Sequence, residues 1–305
     1  MRSVRLGAYA KVNLCLQVLG QRADGYHEVH TVFQAISLHD TLEISLKRGP
    51  SMELVVDSSA LELSKRELRS LSGPGNLVLR AVEALRREFG IRFGARLDLV
   101  KRIPIGRGLG GGSSDAATAL RGLLSLAGRK TPVSRLLQIA SALGADVPFF
   151  LLGGRALGLG RGDEVYPLPD APRRTLLVVS PRDIGVSTRE AYGWLGRRLT
   201  RPSDASRLWS FCALCWSPLE AELSNDFEAV VFPRHPRLGK IKRELLERGA
   251  AEAALAGSGS AVFGVFRSPA QARRAAQGFP KEQVFVCNTL SRGEYRRAMG
   301  RRGSV

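Results

Sequence analysis

Gly106-Arg107-Gly108-Leu109-Gly110-Gly111-Gly112-Ser113-Ser114 is the stretch on which the fold turns. Its glycines let a backbone pass close to an anion and reach conformations closed to other residues. What brackets them separates a phosphate loop from a linker. Upstream, residues 96–101 alternate polar and apolar as a strand does, and Pro104 closes the approach. Downstream, Ala116, Ala117, Leu120, Leu123 and Leu124 fall on one face of a helix predicted over 113–127. Strand, loop and helix start in that order aim free amides and the positive end of a helix dipole at one point. Ser113 and Ser114 can cap the helix or donate to phosphate. No lysine precedes either serine, so this is not a G-x-x-x-x-G-K-[ST] loop. A dinucleotide site wants an acidic residue ~20 positions on, and none lies between Asp115 and Asp146. A mononucleotide triphosphate is the ligand this leaves.

Outward from the loop, the chain mixes strands and helices. Residues 12–18 and 41–46 alternate as strands, with a turn expected at His39 and Asp40. Leu77, Val78, Ala81, Val82 and Leu85 give helical spacing over 76–89, closed at Gly90, and a helix over 134–143 closes at Gly144. A strand over 175–179 follows the proline-rich loop 167–172; then come helices over 187–198, 236–248 and 269–277 and a strand over 261–266. The fold class is α+β, and a length of 305 residues suits two domains. The expected division is 1–170, 171–295 and a basic tail over 296–305 carrying Arg296, Arg297, Arg301 and Arg302.

The formal charge of +18 fits anionic partners. The basic residues are scattered over predicted helix faces, among them Arg86, Arg87, Arg197, Arg198, Arg273 and Arg274, which reads as a solvated surface. RNA binding is the rival class that this charge keeps open, and steep loss of binding with salt would be its mark. Cys15, Cys212, Cys215 and Cys287 are too spread for a disulfide framework. Cys212 and Cys215 form a C-x-x-C pair without a second pair or His-x-His nearby, so two buried helical thiols are expected rather than zinc. Lys11, Asn13 and Gln17 interrupt any signal-peptide core, and no apolar run reaches ~20 residues. A cytoplasmic protein without a membrane partner is the expectation.

Four features could carry chemistry. Asp146, in Gly144-Ala145-Asp146-Val147-Pro148-Phe149-Phe150, is either a turn or cap aspartate or a desolvated general base. Lys11, one of eight lysines in an arginine-rich chain, is either a snorkelling strand lysine or the partner that keeps Asp146 ionised. Tyr26 and His27 follow the turn Ala23-Asp24-Gly25 and could pack in a core or stack on a nucleobase. Leu255-Ala256-Gly257-Ser258-Gly259-Ser260 is a tight turn or a second backbone wall near phosphate.

Three of these segments, Ala10-Lys11-Val12-Asn13, the loop 104–114 with Asp115-Ala116-Ala117, and the turn 257–260, resemble in order the three motifs of the GHMP small-molecule kinases. The resemblance covers most of the chain. It implies a two-domain fold, with an N-terminal domain like one in a ribosomal protein and a ferredoxin-like C-terminal domain. It also implies ATP and Mg2+ as cofactors. Gly20-Gln21-Arg22-Ala23-Asp24-Gly25-Tyr26-His27, Gly110-Gly111-Gly112-Ser113-Ser114, Gly144-Ala145-Asp146-Val147-Pro148 and Ser224-Asn225-Asp226-Phe227-Glu228 resemble the members whose acceptor is a small molecule bearing a cytidine diphosphate group.

The roles implied are Asp146 as base and Lys11 as its charged partner. Tyr26 and His27 would hold cytosine with Tyr192 as the second aromatic face, and Asn13 and Gly257 would lie near the substrate. Asn76, Leu77 and Lys101 would contact the adenosine part. Pro104, Gly106, Gly108, Leu109, Gly110, Gly111, Gly112, Ser113 and Ser114 would hold the phosphates. Arg107 departs from the family's usual small residue and is expected to point outward or to add a cation near the triphosphate. Ala256 departs from a common hydroxyl residue. No specific nucleic acid is expected, and the assembly is expected to be a monomer or weak homodimer.

Overall fold

The computed structural model describes residues 2–61, 63, 65–73, 75–90, 94–195, 211, 212, 215 and 223–299. Its N-terminal part is one long antiparallel hairpin, β1 (Ser3–Gln21) and β2 (His27–Lys47). The hairpin turns at Asp24 and Gly25: Tyr26 N donates to Asp24 Oδ1 at 3.0 Å, and Gly25 takes φ 82°. No turn forms at His39 and Asp40, which lie inside β2 opposite Tyr9 and Ala8. Asp40 can sit there, fully buried, because Arg102 N, Ile103 N and Lys101 donate to its carboxylate. The β1–β2 ladder shifts register between Tyr9 and Lys11, Asn13 and Cys15, and Val18 and Gly20, and such bulges re-aim the side chains around them.

The hairpin is the centre of a seven-stranded sheet. β3 (Met52–Asp57) and β4 (Gly94–Val100) extend it beyond β2, β5 (Arg155–Leu159) and β6 (Glu164–Pro167) branch from β2, and β8 (Ser224–Asn225) adds to β1. Short α1 (Lys65–Ser72) precedes α2 (Leu77–Phe89), α3 (Gly111–Ala127), α4 (Val133–Leu143) and α5 (Val147–Leu152). The last four share one core with the sheet through Leu42, Ile44, Val82, Leu85, Leu97, Leu120 and Phe149. α2 begins at its cap Asn76, whose Oδ1 accepts from Val78 N, and ends at Gly90 in the left-handed region. α3 starts at Gly111, before either serine, because Gly110 turns the chain with φ 73° and no side chain caps the helix. The expectation that Ser113 or Ser114 caps it is therefore corrected.

A second, four-stranded sheet runs β11-β7-β10-β9, with β7 (Thr175–Ser180), β9 (Glu252–Leu255), β10 (Val262–Phe266) and β11 (Gln283–Asn288) all antiparallel. α6 (Thr188–Leu195), α7 (Glu228–Arg234), α8 (Pro236–Glu247) and α9 (Pro269–Ala276) cover it around Leu177, Val179, Leu238, Leu245 and Val262. The chain then returns to the first core. α10 (Arg292–Ala298), opened by the capping box Ser291–Glu294, buries Tyr295 against it. Arg296 and Arg297 are thus helical rather than a tail, while Arg301 and Arg302 lie outside the described residues, as do Arg197 and Arg198. Cys212 and Cys215 are free and half-buried, not buried as expected. Among the described residues no helix is long and apolar enough to cross a membrane.

One charged cluster ties β2, β4 and α3 together beneath the glycine loop. Lys101, 2% exposed, donates to Asp40 and to Asp115 Oδ2, the latter at 2.7 Å. Burial pushes the Asp115 carboxyl up to about 8, against the pull of Lys101, so one proton resides in the cluster at neutral pH. Burial also works against charge on Lys101, but Asp115 and Asp40 outweigh it and raise its pKa. The native state therefore binds a proton that the unfolded chain releases above about pH 4. Stability from Asp115 is full below that value and is lost as pH rises toward 8. Asp115→Asn is expected to flatten this fall, so that the difference in urea midpoint between variant and parent grows in the variant's favour from pH 5 to 8; a constant difference would show that Asp115 is ionised throughout.

Candidate active site

The glycine loop is held by backbone. Lys11 N donates to Leu109 O at 3.0 Å, and Ala261 N donates to Arg107 O at 3.2 Å, so the loop is pinned to β1 on one side and to the second sheet on the other. Gly108 carries the tightest point. Its φ is 77°, and a Cβ there would lie 1.8 Å from Ala256 O. Gly257 faces it from the opposite turn with φ 54° and would meet Gly108 O at 3.0 Å. Two glycine turns from distant parts of the chain thus interlock, main chain on main chain. The start of α3 behind them leaves its first amides without intrahelical acceptors.

Asn225 fixes the second turn: its Nδ2 donates to Leu255 O at 2.8 Å and Gly257 O at 2.7 Å, while its Oδ1 accepts from Phe227 N. Asp226 accepts from Val18 N, and Glu228 from Leu255 N. The motif 224–228 therefore staples β1 to the second sheet. Ala256 is fully buried and contributes its carbonyl, which accepts from Gly259 N at 2.9 Å. Arg107 does not point outward. It is 9% exposed, lines the cavity beside the loop, and donates to Glu67 Oε1 and Arg182 O.

Beside the loop sits a buried ammonium. Lys11, 3% exposed, donates to Asn13 Oδ1 at 2.8 Å and lies 3.5 Å from Asp146 Oδ2. Asn13 Nδ2 donates to Thr31 Oγ1, whose hydroxyl donates to Cys15 O, so the amide that orients Lys11 is itself oriented. The ring of Phe33 lies 5.5 Å from Nζ. Asp146 occupies the cap position of α5 yet makes no side-chain cap bond; its carboxylate turns to Lys11 instead. Of the two sequence readings of Lys11, the geometry places its ammonium beside Asp146 rather than at the surface.

Two chambers meet at Asp146. One, of about 430 Å³, is lined by Lys11, Asn13, Asn76, Leu77, Lys101, Pro104, the glycines of the loop, Ser113, Asp146, Tyr192 and Gly257. The other, of about 850 Å³, is lined by Tyr26, His27, Ser113, Asp146, Arg161, Thr188, Arg189 and Tyr192. Ser113, Asp146, Arg161, Thr188 and Tyr192 belong to both. Ser114 lines neither and is fully buried. Lys101 lines the first chamber with its charge committed to Asp40 and Asp115, and Asn76 with its side chain committed to the cap and to Leu71 O.

In the second chamber His27 stacks directly on Tyr192, centroids 4.5 Å apart, and Tyr192 meets Phe227 edge-on. Tyr26 is 56% exposed across from them, with the Arg161 guanidinium 4.8 Å over its ring. The aromatic pocket is therefore open on the Tyr26 side and closed between His27 and Tyr192. Burial lowers the His27 pKa, leaving a neutral ring with one donor and one acceptor at pH 7. Arg161 and Thr188 were not singled out from sequence. Arg161 had a signal, being flanked by Gly160 and Gly162 with φ 66° and 93°, the mark of a turn that presents a side chain. Thr188, whose hydroxyl pairs with Ser258 Oγ at 3.2 Å, had none.

Residues 76–154 match the family described as GHMP kinases N terminal domain, and residues 208–284 that described as GHMP kinases C terminal. A 4-diphosphocytidyl-2-C-methyl-D-erythritol kinase of Solibacter usitatus is 44% identical over 97% of this chain and 91% of its own length. One of Geobacter sulfurreducens is 40% identical over 91% and 95%. A solved 4-(cytidine 5'-diphospho)-2C-methyl-D-erythritol kinase superimposes with a TM-score of 0.77 at 32% identity, covering 94% of this chain and 99% of the other. A homoserine kinase of Cytophaga hutchinsonii, at 18% identity and a TM-score of 0.72 over 95% of both chains, shares the fold.

The interlock separates two glycines of one loop. At Gly106, φ is 64° but nothing lies within 4 Å of a Cβ, so Gly106→Ala is expected to cost only about 1–2 kcal/mol of backbone strain. Gly108→Ala adds a collision with Ala256 O, and its affinity for a non-hydrolysable ATP analogue is expected to fall at least about tenfold below that of Gly106→Ala, ~1.4 kcal/mol. Calorimetric titration of the two variants gives the comparison, and equal affinities would remove the close approach as a requirement.

Proposed function

This chain belongs to the GHMP kinase family, and from that premise we propose that it transfers the γ-phosphoryl of ATP to the 2-hydroxyl of 4-diphosphocytidyl-2-C-methyl-D-erythritol. The products are the 2-phosphate and ADP, and the step belongs to the non-mevalonate route to isoprenoid precursors, in the cytoplasm. The observation that carries the reading is the buried Lys11 ammonium of the first chamber, next to Gly257 and 3.5 Å from Asp146, which lines both chambers.

In this reading the first chamber takes the nucleotide, its phosphates lying against the open amides of the loop and of the α3 start. The second takes the acceptor, with Tyr26 stacking the cytosine and the neutral His27 ring reading its edge. Asp146 accepts the proton of the 2-hydroxyl as that oxygen attacks the γ-phosphorus, and the bond to the ADP oxygen breaks in line with it. Lys11 stabilises negative charge on the transferring group, and the Asn13–Thr31 chain keeps its ammonium aimed. No covalent intermediate with the protein is required, since positioning and electrostatics account for most of such catalysis.

Among the described residues no three His, Cys, Asp or Glu side chains gather to hold a metal. The Asp146 carboxylate, a third exposed, and the hydroxyls of Ser113 and Thr188 are among the oxygen donors on residues that line both chambers. That sparse set fits magnesium, which keeps most of its water and binds chiefly through phosphate oxygens. When bound it neutralises charge on the β- and γ-phosphoryl oxygens.

ADP release in the presence of ATP and magnesium is expected with the cytidyl acceptor and not with mevalonate, homoserine or galactose; release with one of those three instead would reassign the acceptor. Asp146→Ala is expected to fold and to bind ATP with unchanged affinity while kcat falls about 10²–10⁴-fold. A variant that keeps full turnover would remove Asp146 as the base.

A further inference from the structure

The helix that carries Asp146 is too short to hold itself. α5 has six residues, well under the length at which a helix is stable alone, and its last carbonyls have no partners within it. Three donors meet them from different parts of the chain. Gly153 N donates to Phe149 O at 2.7 Å, Arg121 Nη1 of α3 to Leu151 O at 2.9 Å, and the Tyr295 hydroxyl of α10 to Phe150 O at 2.7 Å. Tyr295 is fully buried and burial raises its pKa, so the phenol stays a donor. Its ring lies under Gly153, where a Cβ would come within 2.0 Å of Tyr295 Cδ1.

The same ring touches the element that carries Lys11. Tyr295 packs against Tyr9 of β1, centroids 5.7 Å apart, and the Tyr9 hydroxyl donates to Ala298 O of α10. On its other side α5 supports Lys11 and the phosphate loop: Phe149 packs on Phe33, which lies under the Lys11 ammonium, and Phe150 abuts Gly110. We propose that Tyr295 is a positioning residue for phosphoryl transfer, clamping α5 to β1 so that Asp146 and Lys11 keep their separation. The last described helix of the chain thereby sets the geometry of a site to which it contributes no lining residue. The proposal rests on the reading of Asp146 as base and Lys11 as its partner.

Tyr295→Phe keeps the ring under Gly153 and removes the one hydroxyl. In the full-length chain, kcat is expected to fall about tenfold or more, with KM for ATP and for the cytidyl acceptor each within about twofold of the parent, and amide exchange across 147–152 to quicken. Leu245→Ala, in the second core, serves as a destabilised control: it lowers the melting temperature while kcat stays within about twofold. An unchanged kcat in Tyr295→Phe, with or without faster exchange, overturns the proposal, as does an equal fall in kcat in Leu245→Ala. Exchange needs no substrate, so absence of turnover with the cytidyl acceptor in the parent overturns the acceptor assignment alone. In that case unchanged exchange in Tyr295→Phe overturns the clamp and faster exchange supports it.

Discussion

The main-chain contact between Gly108 and the Ala256–Gly257 turn is the constraint from which the site follows. Gly108 can lie that close to the Ala256 carbonyl only because it carries no Cβ. The approach brings a loop of the first sheet and a turn of the second into one wall, and the hydrogen bonds from Lys11 N and Ala261 N lock the wall to β1 and to the second sheet. The first chamber is the concavity lined by this wall. Asn225, bonded to the carbonyls of Leu255 and Gly257, holds the turn from behind.

Two buried lysines near this wall are treated in opposite ways. Lys101 is enclosed by Asp40 and Asp115, and its positive charge is spent on joining β2, β4 and α3. A charge so surrounded contributes little field beyond its partners. Lys11 has one carboxylate at 3.5 Å and one neutral amide, so its field extends into the space where the chambers meet. A buried cation with incomplete local compensation favours an incoming anion, and low exposure keeps water from screening it. This difference in partners, rather than any difference in burial, separates the two lysines.

The loop and the helix after it were legible in the sequence because each rests on local chemistry, whereas the pairing of Lys11 with Asp146, far apart along the chain, followed only from the resemblance to GHMP kinases. Glycine clusters, apolar periodicity and a C-cap glycine at Gly90 act over a few residues, and the structure follows them. Two of the errors share a cause. Asp40 read as a turn residue because a buried carboxylate in a strand needs donors from Lys101 to Ile103, some sixty residues on. The outward alternative for Arg107 failed because Glu67 and Arg182, which accept from it, are distant in sequence. α5 was not read at all, since a six-residue apolar run has too little period to separate helix from strand.

The sequence by itself determined that this chain is α+β, that it presents a glycine loop at the start of a helix, and that its motifs are those of GHMP kinases, since these depend on residue type and short spacing. Only the tertiary structure decided that the His27 and Tyr192 rings touch, that Ser114 faces away from the cleft while Arg161 and Thr188 line it, and that Tyr295 reaches the helix of Asp146. Those outcomes depend on how two sheets dock across contacts between residues tens to hundreds of positions apart. Local propensity has no term for such a contact, which exists only once the chain has closed.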